Sequence, residues 1–207
     1  VFSEQLTSNN CEIYGISRKP IPYLNESSQI QIKDYINDAP DIINFIKDIE
    51  RPNIIFFNGF LAENRNIYFP NFDEIVETIN ANYLTPIGLT FEIRKIIKAK
   101  KFIYISSMAA IKPRNKNYIY GLSKKSLEET ISKEKDLNYL IVRFGQIETR
   151  MSENHKRPPS TLTKKSAAIK LFNHIDKSGI IYASISLKLI SIFMKFLPIK
   201  IIDAIEK

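Results

Sequence analysis

Glycine is scarce in this chain, at 6 of 207 residues where ~7% is usual. A nucleotide-binding βαβ unit ordinarily opens with a glycine-rich turn. The glycines at positions 15, 59, 88, 121, 145 and 179 are too dispersed to build one. The one cysteine, Cys11, excludes an internal disulfide and makes a reducing cytoplasm the natural compartment. The two histidines, His155 and His174, have no metal-ligand spacing with cysteine or carboxylates, so no metal is expected. Tryptophan is absent, and no apolar run reaches the ~20 residues needed to span a bilayer. What is present rules out disorder: 44% of residues are hydrophobic, enough for a real core, and the length fits one domain over residues 1–207.

Lysine and arginine number 30 against 22 acidic residues, a net charge of +8. Most of the basic residues are lysines dispersed along the chain, mixed with abundant isoleucine and asparagine. That is a compositional bias rather than a basic face, and no nucleic-acid partner is expected.

Apolar runs alternate with stretches of helical period. Strands are expected at 12–17 and 29–32, a helix at 40–50, and a strand at 53–57 (NIIFF) whose β-branched and aromatic content suits burial on both faces. A helix is expected over 72–98, a strand at 101–105 (KFIYI), a helix at 118–135, and a strand at 139–144 (YLIVRF). A polar loop at 148–165, a helix at 164–177 and a last strand at 180–183 follow. This alternation predicts a doubly wound, Rossmann-like α/β fold built on a parallel sheet. Its chemistry belongs beyond the carboxyl ends of the strands.

There, Ser106 and Ser107 follow KFIYI, and the next helix carries Tyr120 and Lys124 at i and i+4 in YGLSK. A cation on the same helix face favours phenolate and brings a pKa of about 10 toward neutrality. One such pair is expected by chance among 10 tyrosines, so its context decides. Ser107 ends a strand 13 residues earlier, Asn82 lies in the preceding helix, and Asn58-Gly59 closes the strand before that. With these residues the chain resembles the single-domain short-chain dehydrogenase/reductases over nearly its whole length. The stretches that carry the likeness are IIFFNG (54–59), INANYL (79–84), YISSMAA (104–110), YGLSKKSLEE (120–129) and VRFGQIETRM (142–151).

The resemblance implies interconversion of a carbonyl and a secondary alcohol by hydride transfer on a small-molecule substrate. Tyr120 would be the acid/base. Lys124 would lower its pKa and bind the nicotinamide ribose, Ser107 would hold the substrate oxygen, and Asn82 would anchor a connecting water. The alternative within the same fold is a catalytically idle nucleotide-binding or scaffolding protein, against which the complete tetrad argues. Pro86 supplies a local argument for Asn82: four residues on, it has no N–H for the Asn82 carbonyl, so the helix should kink and leave that oxygen for water.

For the cofactor, Ser17-Arg18-Lys19 after the first strand has no carboxylate for a ribose 2′-hydroxyl, and Arg18 suits the 2′-phosphate of NADP, with NAD the alternative. The resemblance further implies an adenine contact from Asp34, an adenine-ribose position for Asn58, and carboxamide contacts from Ile147 and Thr149. Phe57-Asn58-Gly59-Phe60 is a shortened form of the family's asparagine-alanine-glycine turn, and Phe144 stands where the family has proline.

Residues 148–178 are expected to form a substrate loop and helix, and 184–207 an apolar helical tail. Within 184–197 (SISLKLISIFMKFL), Lys188, Ser191 and Lys195 make one polar stripe at helical spacing. The tail is read as a cover for the pocket or a surface for a homo-oligomer, or as a peripheral membrane contact through 184–202. Scarce glycine and the initial Val1 together lead to one more expectation. Residues 1–9 would end a first helix, and a first strand with its glycine turn would be missing from an N-terminally truncated fragment.

Overall fold

The computed structural model describes residues 11–61, 70–152, 158 and 160–205. The expected helix over 1–9 lies outside these residues. Two blocks of parallel strands share one core. The smaller pairs β1 (Gly15–Ser17) with β2 (Gln29–Gln31), and the larger runs in the order β3 (Asn53–Phe56), β4 (Lys101–Ser107), β5 (Tyr139–Phe144) and β6 (Gly179–Tyr182). Every pairing is parallel; Ile103 of β4 stands between Ile55 and Leu140.

Alternation along β4 sends its side chains to opposite faces of the sheet. Phe102 and Tyr104 join Ile42 and Ile46 of α1 (Ala39–Ile46), Leu89 and Ile93 of α3 (Thr85–Ile96), and Leu127 and Ile131 of α4 (Tyr118–Lys133). Ile103 joins Leu140, Val142 and Phe144 of β5 with Ala167 and Leu171 of α5 (Lys164–Phe172) and Leu187 of α6 (Ile185–Phe196). With both faces covered, the central strands read as unbroken apolar runs, and the fold is the doubly wound parallel α/β arrangement. Ile16 and Ile30 of the smaller block pack on the first of these clusters, which is what joins the two blocks.

Three expected helices end or change earlier than their periodicity suggests, and the first, expected over 40–50, stops at Ile46. The stretch over 72–98 divides into α2 (Phe72–Ile79), a π-helical turn (Asn80–Leu84) and α3. Asn71 and Glu74 start α2 with a reciprocal capping box. Pro86 cannot donate, and just before it the Thr85 N–H reaches back five residues to the Asn80 oxygen, so the expected kink takes the form of a π turn. The helix expected to reach 177 stops at Phe172. The Ile175 and Lys177 oxygens beyond it accept from buried Lys101 Nζ at 2.8 and 2.9 Å instead of continuing the helical ladder. A last helix, α7 (Ile199–Ile205), follows Pro198.

In the tail the expected polar stripe is not one. Ser191 is buried, its hydroxyl donating to the Lys188 oxygen at 2.7 Å. Leu187 and Ser191 face the body of the protein, while Lys188 and Lys195 remain exposed. A 3.6-residue period identifies a stripe but does not say which way it faces.

Candidate functional site

The site is assembled where α4 presses on the chain leaving β4. A β-carbon on Gly121 would lie 2.9 Å from the Ala109 oxygen and 3.0 Å from both Cα and Cβ of Pro113, so only glycine permits this approach. The neighbouring Tyr120 is thereby brought beside Ser107, close enough for the serine hydroxyl to act on the phenol. Ser107 is itself fixed, since it caps a short 3₁₀ turn (Met108–Ala110) by accepting the Ala109 N–H at 3.2 Å. Burial raises the Tyr120 pKa above its ordinary 10.0, and the Ser107 hydroxyl works against that rise. The phenol is therefore protonated at neutral pH.

One turn on, Lys124 is buried, and its Nζ donates to the Asn58 oxygen at 2.9 Å and to the Ile105 oxygen at 3.0 Å. Burial lowers its pKa to about 8, against the pull of Glu128. The lysine thus clamps the ends of β3 and β4 together. The expected depression of the Tyr120 pKa by Lys124 does not appear: its charge is directed to two carbonyls, and the phenol shifts upward.

Asn82 is fully buried in the π turn. Its Nδ2 donates to the Phe60 oxygen at 2.7 Å and to the Thr78 oxygen at 2.9 Å, and its Oδ1 accepts the Phe60 N–H at 3.2 Å. The side chain splints the turn that follows Asn58. A β-carbon on Gly59 in that turn would meet Met151 Cε at 3.1 Å, so residues following β3 and β5 close on one another.

Beneath this group lies a network that the sequence reading missed. Glu128 continues the Tyr120, Lys124 spacing by another four residues and is buried. It accepts from Ser106 Oγ at 2.6 Å and from Arg143 Nε at 3.0 and 3.1 Å, and a further bond comes from Arg143 Nη2. Arg143 Nη1 donates to the Tyr182 hydroxyl at 2.7 Å. The available signals were a third polar residue on the α4 face and a charge inside the apolar run of β5.

The cofactor-side candidates also follow strand ends. Arg18 is exposed after β1, close enough to Tyr35 to pull its pKa down against the stronger upward effect of burial. Asp34 follows β2, where its Oδ1 accepts the Ile36 and Asn37 N–H groups at 3.0 and 2.8 Å, a turn-forming use of one carboxylate oxygen. After β5, Ile147 forms a parallel bridge with Leu162, and the Thr149 N–H donates to Ser152 Oγ at 3.0 Å. Gln146 was not singled out by sequence, yet its Nε2 is buried without a hydrogen-bond partner. His155 lies outside the described residues, and His174 Nδ1 pairs with the Lys170 oxygen at 2.6 Å. Among the described residues no group of histidines, cysteines and carboxylates is placed to hold a metal.

No family model matches the chain. Among solved structures it is similar to a short-chain dehydrogenase from Burkholderia cenocepacia J2315 in complex with NADP. The identity is 14% and the TM-score 0.77, over 95% of this chain and 92% of that one. A carbonyl reductase from Pseudomonas aeruginosa PAO1 superposes with TM-score 0.67 at 14% identity, over 87% and 88%. A 4-hydroxyisoleucine dehydrogenase complexed with NADH and succinate gives 0.69 at 12% identity, over 88% and 92%. At such identities the likeness establishes the shared fold.

Proposed function

We propose that the chain is an NADP(H)-dependent oxidoreductase of the short-chain dehydrogenase/reductase type, interconverting a carbonyl and a secondary alcohol. The observation that carries this reading is the placement of Tyr120 beside Ser107 and a buried Lys124, all at the carboxyl ends of parallel strands.

A neutral phenol is the form needed to donate a proton to a carbonyl oxygen during reduction. Ser107, held by the Ala109 N–H, is a preorganised partner for that oxygen as negative charge develops on it. An ammonium has three donors and Lys124 uses two on Asn58 and Ile105, which leaves one for a ribose hydroxyl. Asn82 acts at one remove, by fixing Phe60 and so the turn from which Asn58 projects.

The residues fit a dinucleotide. Gln146 Nε2 is an unpaired buried donor at the end of β5, suited to a carboxamide or substrate oxygen, with Ile147 and Thr149 following it. Arg18 is an exposed cation after β1 and suits a 2′-phosphate, and Asp34 retains a second oxygen for an adenine. When bound, the cofactor would supply or accept the hydride. NADP in the Burkholderia structure supports the assignment, while NADH in the 4-hydroxyisoleucine dehydrogenase keeps the choice resting on Arg18.

A screen of ketones and aldehydes with NADPH, followed by nicotinamide absorbance, tests this function. Turnover is expected with wild type and none with Tyr120→Phe. Tight NADPH binding without turnover on any carbonyl class would favour the idle alternative.

A further inference from the structure

We propose that the outward face of α6 docks on an anionic lipid surface. This goes beyond the reading of the active site and does not depend on it. Of the twelve residues in α6, only Leu187 and Ser191 are buried. The side turned away from the protein is not polar, as an ordinary surface helix would be. Ile185 is 79% exposed, Leu189 55%, Ile192 47%, Phe193 70% and Phe196 83%. At the angular spacing of an α-helix these five positions fall within an arc of roughly 100°, opposite Leu187 and Ser191. Beyond Pro198 the apolar surface continues with exposed Ile199 and Ile201.

The charges carried by the helix itself are of one sign, although Lys195 also lines a pocket with Glu128 and Glu129 of α4. Lys188 and Lys195, seven residues apart, line the same flank of the helix, and Lys200 follows; all three are exposed. From position 184 to 200 the chain contains no aspartate or glutamate. Aliphatic and phenylalanine side chains on a helix whose own charges are all lysines describe one that lies in the plane of an anionic interface, apolar side down, with its cations at headgroup level. At twelve residues and about 1.5 Å each it is far too short to cross. A second copy of the chain placed on this face through a two-fold axis would offer the same lysines again and, from the helix itself, no carboxylate to meet them.

The face is held ready by the rest of the fold. Ser184 caps the helix by accepting the Leu187 N–H at 3.3 Å. Lys112 Nζ grips its far end, donating to the Met194 oxygen at 3.3 Å and also to the Leu197 oxygen. Leu187 Cδ2 lies 3.2 Å from where a Gly145 β-carbon would be, which seats the helix directly on the end of β5.

The test is co-sedimentation of the full chain with vesicles of phosphatidylcholine alone or mixed with phosphatidylglycerol. Binding is expected on the anionic vesicles and should weaken as salt is raised. Phe193→Asp with Phe196→Asp should reduce it at least tenfold. Lys188→Glu with Lys195→Glu should remove the preference for anionic lipid. All four substitutions are at exposed positions, and unchanged circular dichroism and melting temperature would show that the variants remain folded. Two results would overturn the proposal: vesicle binding that is absent or indifferent to the aspartate substitutions, and a lipid-free dimer that those substitutions dissociate while wild type ignores vesicles.

Discussion

Lys124 Nζ donates to the main-chain oxygen of Asn58 over 2.9 Å, joining a helix to the end of a strand 66 residues earlier in sequence. A lysine used in this way is buried and has a pKa lowered to about 8 from an ordinary 10.5. Below pH 8 it is charged in both the folded and unfolded states, and folding bears the full cost of burying the charge. Above pH 10.5 it is neutral in both, and that cost is gone. Between these values the unfolded chain binds more protons, so stability rises with pH. Relative to Lys124→Met, wild type is expected to gain about 3 kcal/mol across this window. Denaturant unfolding of both proteins at several pH values measures the difference, and a flat difference would mean the lysine titrates normally.

The Ser107 hydroxyl opposes the effect of burial on Tyr120. Ser107→Ala should therefore raise the Tyr120 pKa further. It should also lower turnover by roughly 10²-fold or more through loss of a preorganised donor. Ultraviolet titration, with Tyr120→Phe to assign the signal, reads the first effect, and steady-state kinetics the second. An unchanged phenol titration would show that the hydroxyl contact does not persist in solution.

Glu128 and Arg143 form a pair whose side chains are only 4% and 14% exposed. Removing one partner leaves the other charge buried and should cost about 3–5 kcal/mol, whereas replacing both by apolar residues of similar size costs far less. Melting curves of Glu128→Leu, Arg143→Met and the double variant make the comparison. If the double variant is as unstable as the sum of the singles, the pair is not coupled.

Gly121 has backbone on the side where a methyl group would go. Gly121→Ala is expected to destabilise the protein by roughly 1–3 kcal/mol, since the Ala109 oxygen and Pro113 must move. It should also reduce kcat more than KM, because Tyr120 moves with the helix. Gly88, in α3, has open space around its added β-carbon. Gly88→Ala is the matched control, expected to leave activity intact.

Arg18 determines cofactor choice if the proposed assignment holds. A hydrogen bond to a charged group contributes about 1.5–3 kcal/mol, so Arg18→Asp should shift the NADPH-to-NADH ratio of kcat/KM by about 10- to 100-fold toward NADH. An unchanged ratio would remove the 2′-phosphate from Arg18.

Much of this site was legible in the sequence because each part has a local signature. Runs such as KFIYI and YLIVRF have the length of buried strands, and Tyr120 and Lys124 are one helical turn apart. What local patterns do not contain is the partner. Glu128 looks like one more charge on a helix face until Arg143, 15 residues later, turns out to meet it. Lys124 was expected to act on the nearby phenol, but its bonds run to carbonyls 66 and 19 residues away. Ser191 fell on a correct period and was given the wrong side. The π turn at Asn80–Leu84 was signalled by Pro86, though only as a kink.

Arg18 and Asp34 belong to the two-stranded block, whereas Ser107, Tyr120 and Lys124 belong to the four-stranded one. Among the described residues no strand pairing bridges the two blocks. A dinucleotide resting on both would serve as a tie bar between two slabs otherwise held by greasy contact. Slowed amide exchange in β1 and β2 would then be a more sensitive gauge of occupancy than any change in the central, buried β4 and β5.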